Sequence, residues 1–376
     1  MRKILILTGR YLPGHKDGGP LRTIINLTDA LGDEYDFYIV CLDRDHGDTV
    51  PYKNISYDVW NLVGKARVRY VKPGGFSFSF LRKLAADVDL IYLCGFFDDY
   101  GYKMLLLNRL NMLHSKPVVV ASMGTFSEGA LSQKALKKGI FIGCCKALGL
   151  FRNMKWSVTS ELELGDVKRN IGKDAECMIA EDLPRSNVPG RRQREYREYL
   201  DVVFLSRISP MKNLSGAIKC LKNLQAIVRF TIYGPKEDGV YWSSCLKELD
   251  NLPSNICWSY KGDVLSEEVQ EKLQQHEIFL FPTKGENYGH VIFEALSVGC
   301  IPVISDQTPW SRLISERKAG YILQLTEDMK EFTQVLERFS KMTKEEKKEI
   351  SEHAIKIAVE KVEQSKKDTG YRKIFG

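Results

Sequence analysis

Short apolar runs alternate with stretches of helical periodicity twice along this chain, and that alternation restricts the fold more than any other feature. Parallel strands need a long crossover between them, usually a helix, so repeated strand–helix–strand spacing predicts βαβ units and parallel sheets. In the first half the strand candidates are 3–8, 37–42, 68–72, 90–94, 118–122 and 157–159, with helical stretches such as 21–31 and 100–113 between them. In the second half they are 202–205, 229–233, 256–260, 278–281, 302–305 and 321–324, separated by helical stretches such as 214–224, 267–276 and 329–339. The seam SNVPGRRQREY (186–196) is rich in proline, glycine and charge and has no apolar periodicity, which marks a linker. The expectation is an α/β protein with two Rossmann-like, doubly wound domains facing each other across a cleft. Their bounds are 1–190 and 191–355, followed by a helical tail, 356–376, able to pack back on the first domain.

Length agrees, because 376 residues are many for one core. A hydrophobic content of 44% and a charged content of 27% are those of an ordinary globular protein. The net charge of +7 permits phosphates, nucleotides or an acidic membrane as partners and demands none of them. No nucleic-acid partner is expected. The nine cysteines include Cys144-Cys145 but no C-x-x-C spacing, so neither a zinc ribbon nor a redox motif is indicated. The opening MRKILILTGR is too short in its apolar run for a secretory signal and reads as a buried strand. No run approaches the roughly 18 apolar residues of a membrane span. These readings place the protein in the cytoplasm, soluble or peripheral on a membrane.

Ligands of doubly wound sheets bind beyond the carboxyl ends of the strands, so chemistry is sought there. After 202–205 comes SRISPMKN, with Arg207 and Lys212 ahead of a helix starting near Asn213. Two cations and a helix amino terminus suit a diphosphate, although a solvated basic turn has the same composition. Gly234-Pro235 and Lys261-Gly262 are tight exits from the next two strands and leave room for a flat base. After 278–281 comes GENYGHVIFEALSVGC, where Gly285 and Gly289 allow close backbone approach and Glu286 precedes a helix. Glu294 then falls among Val291, Ile292, Phe293, Ala295 and Leu296. A carboxylate there lies either on an exposed stripe or against a ligand that supplies donors, because burying it unpaired is costly.

The ordered set SRISPMK, IYGP and GENYGHVIFEALSVGCIPVIS resembles the carboxyl-terminal domain of the retaining family-4 glycosyltransferases (glycosyl transferases group 1), which have the GT-B fold. Their signature is two glutamates with seven residues between them, here Glu286 and Glu294. The segment GRYLPGHKDGGPLRTIINL resembles the same family's glycine-rich turn after the first strand, here Gly18-Gly19-Pro20. The resemblance implies that Glu286, Arg207 and Lys212 are catalytic, with Glu286 on the transferred sugar and the two cations on the departing diphosphate. It implies donor contacts from Gly18, Gly19, Asn287, Tyr288 and Gly289, the ribose on Glu294, and the base near Gly234, Lys261 and Gly262. The implied reaction moves a hexose or N-acetylhexosamine from a UDP- or GDP-linked sugar to a glycan or polyprenyl-linked acceptor in cell-surface polysaccharide synthesis. No cofactor and no metal are expected. The rivals are a sugar-nucleotide epimerase of the same architecture and a non-catalytic nucleotide- or glycan-binding protein. A Rossmann dehydrogenase would want G-x-G-x-x-G after a strand, and GHKDGGP lacks that spacing.

Many members of the family carry a histidine after the strand matching 118–122, where this chain has Met123-Gly124-Thr125. His15 and Glu128 are the acceptor-side candidates, and His290 also falls in an expected ligand loop. Asp43-Arg44-Asp45 spells a metal-site triplet but reads as a solvated loop. The stretch 131–156 mixes Lys134, Lys137, Lys138, Lys146, Arg152 and Lys155 with many apolar residues. It fits either an ordinary helix pair on the sheet or an amphipathic surface for an anionic membrane, on the inner face of the plasma membrane.

Overall fold

The computed structural model describes residues 1–132, 135–191 and 198–376, without the side chains of Glu128 and Ser132. The chain forms two compact units, Met1–Leu183 with Ser365–Gly376, and Pro184–Gln364. Both are Rossmann-like, as the alternation requires.

The first unit holds β1 (Arg2–Leu7), β2 (Tyr35–Leu42), β3 (Asn61–Val63), β4 (Ala66–Val71), β5 (Leu90–Cys94), β6 (Val118–Ala121), β7 (Met154–Val158) and β8 (Glu176–Ile179). They lie in the order β3-β4-β2-β1-β5-β6-β7-β8. All neighbours are parallel except the β3–β4 hairpin. Strand β1 is central. Leu5 and Leu7 face one core with Val40, Ile91 and Leu93, while Ile4 and Ile6 face the other with Phe37, Ile39 and Cys41. Burial on both faces explains its uninterrupted apolar run. Strands β3 and β8 escaped the sequence reading for physical reasons. The first is a three-residue edge strand, and the second, ECMI, is a four-residue edge strand with no fully buried residue.

The returning segment completes this unit. Helix Gly370–Phe375 buries Tyr371, Ile374 and Phe375. The Phe375 ring lies 5.4, 5.9 and 5.5 Å from those of Tyr35, Phe37 and Tyr92. Asp182, itself buried, accepts from Thr23 Oγ1 at 2.8 Å and from Tyr371 Oη at 3.3 Å.

The second unit holds β9 (Leu200–Leu205), β10 (Val228–Tyr233), β11 (Ile256–Tyr260), β12 (Ile278–Phe281), β13 (Ile301–Ser305) and β14 (Tyr321–Leu323), all parallel, in the order β11-β10-β9-β12-β13-β14. The chain enters at the centre, steps outward to β11, and returns to place β12 on the other side of β9. The loops leaving β9 and β12 therefore emerge side by side where the strand order reverses, the place such sheets use for ligands. Helix Lys344–Lys367 reads from its charge as fully solvated, yet it buries Ser351, Ala354, Ile357, Ala358 and Val362 along one stripe. Small residues disguise that stripe. Ser351 Oγ donates to Gly299 O at 2.8 Å, and a Cβ on Gly299 would stand 2.2 Å from that oxygen. Among the described residues, no helix is long and apolar enough to cross a membrane.

Candidate active site

The reversal in the second sheet brings two predicted residues into contact. Lys212 Nζ lies 2.6 Å from Glu286 Oε1, with side chains only 13% and 10% exposed. Backbone and side-chain bonds lace the two loops that carry them. Asn213, in the left-handed region at φ 58°, accepts from Gly216 N to cap helix Leu214–Lys222, and its Nδ2 donates to Pro282 O at 2.8 Å. Lys284 N donates to Met211 O at 2.9 Å, and Glu286 N to Gln307 O at 3.1 Å. Thr283 Oγ1 stands 3.2 Å from the carboxylate oxygen that Lys212 holds. A lysine ammonium has three donors, so the contact with Glu286 leaves capacity for a second anion.

Glu294 sits in helix His290–Ser297 and is 4% exposed. The exposed-stripe reading is excluded. Gly289 starts that helix at φ 81°, where a Cβ would stand 2.9 Å from Ile292 Cδ1. The carbonyl of Tyr288 accepts from Trp310 Nε1, and the Tyr288 ring lies 4.7 Å from the His290 ring and 5.3 Å from that of Trp310. Asn287 is exposed.

The exits of β9, β10 and β11 are joined as well. Gly234 N donates to Gly262 O at 2.9 Å, and Gly234 O accepts from Tyr260 Oη at 2.9 Å. Gly234 has φ 128°, and a Cβ there would stand 1.9 Å from Ser206 O. Packing against the neighbouring exit is thus reason enough for this glycine. Gly262, at φ 80°, faces open space, and Lys261 is exposed. Arg207 turns to this side, its Nη1 2.7 Å from Glu237 Oε1, with side chains 38% and 44% exposed.

In the first unit, Gly18 (φ 63°) and Gly19 open helix Gly19–Leu31 with Pro20 in its first turn. The loop before them is shaped by Asp45, which accepts from His15 N at 2.8 Å, Lys16 N at 3.2 Å and His46 N at 2.9 Å. The His15 ring nitrogen Nδ1 lies 3.5 Å from the same carboxylate. The expectation of a solvated Asp43-Arg44-Asp45 loop is corrected here, because both aspartates are buried. Burial pushes the Asp43 carboxyl up, but hydrogen bonds from Arg44 and Tyr57 outweigh it and hold the group below the usual carboxylate range. In the turn where the family histidine is wanting, Met123 and Gly124 have φ 46° and 75°. The buried Glu163 fills that turn, accepting from Gly124 N and, at 2.6 Å, from Thr159 N. Glu128 begins helix Glu128–Ser132, and its side chain lies outside the described set. At this sheet's own reversal, Asp98 accepts from Tyr100 Oη at 2.8 Å. Its surroundings desolvate it enough to raise its carboxyl, against the pull of Tyr100 and Arg10.

Residues 191–357 match the family described as glycosyl transferases group 1. That stretch contains every strand of the second unit's sheet. Among curated proteins the chain is similar to the GDP-mannose:cellobiosyl-diphosphopolyprenol alpha-mannosyltransferases of Xanthomonas oryzae pv. oryzae (strain PXO99A) and Xanthomonas campestris. It is 24% identical to the first over 246 residues, which span 63% of this chain and 61% of that relative's length. Among solved structures it superposes on Anabaena HepE in complex with UDP-glucose with a TM-score of 0.70 at 15% identity, covering 97% of this chain and 98% of that one. It superposes on sucrose-phosphate synthase from Thermosynechococcus elongatus with a TM-score of 0.72 at 14% identity, covering 100% and 99%. The likeness to these structures establishes the GT-B fold, two Rossmann-like units in one chain.

Within the matched stretch, Lys212 and Glu286 are in direct contact, and Glu294 is buried in the helix that follows Glu286. Arg207 occupies the same loop as Lys212 but is engaged by Glu237, a partner that no motif announced. Asp45 and Glu163 lie outside the matched stretch, and their contacts were also missed. Their signal is a single acidic residue whose partners are distant in sequence or backbone amides, and composition does not reveal such pairs.

Proposed function

We propose that this protein transfers a hexose or N-acetylhexosamine from a nucleoside-diphosphate sugar to a glycan or polyprenol-linked glycan, with retention at the anomeric carbon. The observation that carries the reading is the Lys212–Glu286 contact at the sheet reversal. Breaking a sugar–phosphate bond builds negative charge on the leaving diphosphate. A fixed ammonium stabilises that charge without reorganising. Glu286, held by Lys212 and beside Thr283, accepts hydrogen bonds from hydroxyls of the sugar, and Glu294 accepts from the ribose. The acceptor attacks from the face the diphosphate leaves, and its proton passes to a leaving-phosphate oxygen, so no protein base is required. Lysine and arginine supply the charge that a metal would otherwise supply, and the reaction proceeds in EDTA.

The Xanthomonas relative is named for transfer of mannose from GDP-mannose to a polyprenol diphosphate-linked cellobiose, and HepE for its complex with UDP-glucose. Both donor classes therefore belong in the test. A thermal-shift panel of UDP, GDP and their sugars should show one base stabilising the protein, and more strongly with the right sugar attached. At about 100 times Kd the gain is about 2.7 kcal/mol, a rise of several degrees in Tm. A panel in which no nucleotide shifts Tm would remove the reading. Turnover of the stabilising sugar nucleotide to another sugar nucleotide, without acceptor, would mark an epimerase instead.

A polyprenol-linked acceptor requires contact with a membrane, and we propose one helix of the first unit as the contact with its cytoplasmic face. Helix Ala135–Ala147 buries only Ile142 and Cys145. Leu136 and Ile140 are exposed on it, with Leu148 just beyond, and Lys137 and Lys146 are exposed as well. Lys138 is spent inward, donating to Ala130 O at 2.7 Å, and Lys134 lies outside the described residues. Apolar side chains flanked by lysines match an anionic bilayer, each charge contributing about 1 kcal/mol near the surface. Binding to vesicles should rise with phosphatidylglycerol content and fall on Leu136→Ser with Ile140→Ser. Equal binding to neutral and anionic vesicles counts against the surface.

A further inference from the structure

The two cations of the β9 exit loop are both neutralised by carboxylates, but in different ways. Lys212 and Glu286 are nearly buried, and Thr283 stands beside the same carboxylate oxygen. That pair is held fixed by its surroundings. Arg207 and Glu237 are more than a third exposed, and they touch through one guanidinium nitrogen. Among the described residues the Glu237 side chain makes no other hydrogen bond. Its backbone is held all the same: Glu237 N donates to Pro235 O at 3.0 Å, Asp238 N to Ile208 O at 3.3 Å, and the Asp238 side chain caps helix Gly239–Asp250. Glu237 is thus delivered to Arg207 by a fixed loop and keeps it there with a weak bond, since exposed ion pairs contribute only about 0–1 kcal/mol.

We propose that Glu237 is an exchangeable counter-ion that occupies Arg207 until a nucleoside diphosphate displaces it, and so limits donor affinity and speeds release of the nucleoside diphosphate product. This rests on the diphosphate role of Arg207 in the reading above. Arginine presents a planar fork of donors that pairs bidentately with phosphate. A diphosphate therefore outcompetes a single carboxylate contact, but it must first come close to the Glu237 charge. Two anions on one guanidinium repel. Removing the Glu237 charge while keeping its shape and a hydrogen-bond acceptor removes that repulsion and leaves Arg207 in place.

The experiment is calorimetric binding of UDP and of GDP to the full chain and to Glu237→Gln, Arg207→Ala and the double variant, at low and high salt. The expected result is a Kd for the preferred nucleoside diphosphate about two- to fivefold lower in Glu237→Gln than in wild type, the range set by exposed pairs. The gain should shrink at 0.5 M salt, where the Debye length is a few ångströms, and vanish when Arg207 is already alanine. Equal or weaker binding by Glu237→Gln overturns the proposal, as does a gain that persists without Arg207. If wild type binds one nucleotide and Glu237→Gln matches it, the counter-ion role alone fails. If wild type binds neither nucleotide, the donor reading fails and this inference with it.

Discussion

Lys212→Ala should lower kcat by about a hundred- to a thousandfold, the loss typical when one preorganised group is removed from developing negative charge. The substitution also strips Glu286 of its ammonium at a site where its side chain is 10% exposed. An uncompensated buried carboxylate costs stability, so a drop in Tm on its own would not separate a catalytic lysine from a structural one. Adding Glu286→Gln separates them. If Lys212 serves only to neutralise Glu286, the double variant regains stability and turns over as fast as Glu286→Gln alone. If Lys212 holds the departing diphosphate, the double variant regains stability but turns over far more slowly than Glu286→Gln alone, the variant that carries whatever loss of the carboxylate costs the sugar. Steady-state kinetics beside thermal unfolding of the three variants reads this directly, and near-wild-type turnover in Lys212→Ala removes diphosphate stabilisation by Lys212 from the mechanism.

Lys212 and Glu286 could be paired from the sequence because parallel sheets bring strand exits together by rule. Once 202–205 and 278–281 are read as strands, the loops that follow belong to the same edge, and each carries a residue suited to the same ligand. The structure adds that β9 and β12 are immediate neighbours, which only the strand order settles. Arg207 obeyed the rule for its position and departed from it in its contact. A pair such as Arg207–Glu237 depends on how one loop leans on the next, and that is set by backbone bonds between 206–208 and 233–238 which leave no mark in composition. Gly234 was legible as a tight exit, but the reason for it, the carbonyl of Ser206, belongs to a different strand. Asp45 shows the same limit from the other side. Three charged residues in a row look solvated until the amides of His15, Lys16 and His46 are placed around one carboxylate. The sequence reading thus succeeded where local pattern and sheet topology agree. It failed where long-range polar contacts decide.

Phe375→Ala should destabilise the first unit by about 3–5 kcal/mol, the usual cost of emptying a buried phenylalanine site. Helix Gly370–Phe375 has six residues, far too few to persist in water by propensity. It exists because Tyr371, Ile374 and Phe375 fill the face of the sheet lined by Phe37 and Tyr92. Tyr371 reaches Asp182, which also accepts from Thr23 in helix Gly19–Leu31. The last residues of the chain therefore support the helix that Gly18 and Gly19 open. Arg372→Ala provides the control, since its bidentate pair with Glu34 lies at the surface and exposed pairs contribute at most about 1 kcal/mol. Urea unfolding followed by fluorescence reads the difference through Trp156, buried in this unit. A midpoint for Phe375→Ala no lower than that of Arg372→Ala would mean that the closing segment does not belong to the first unit's core.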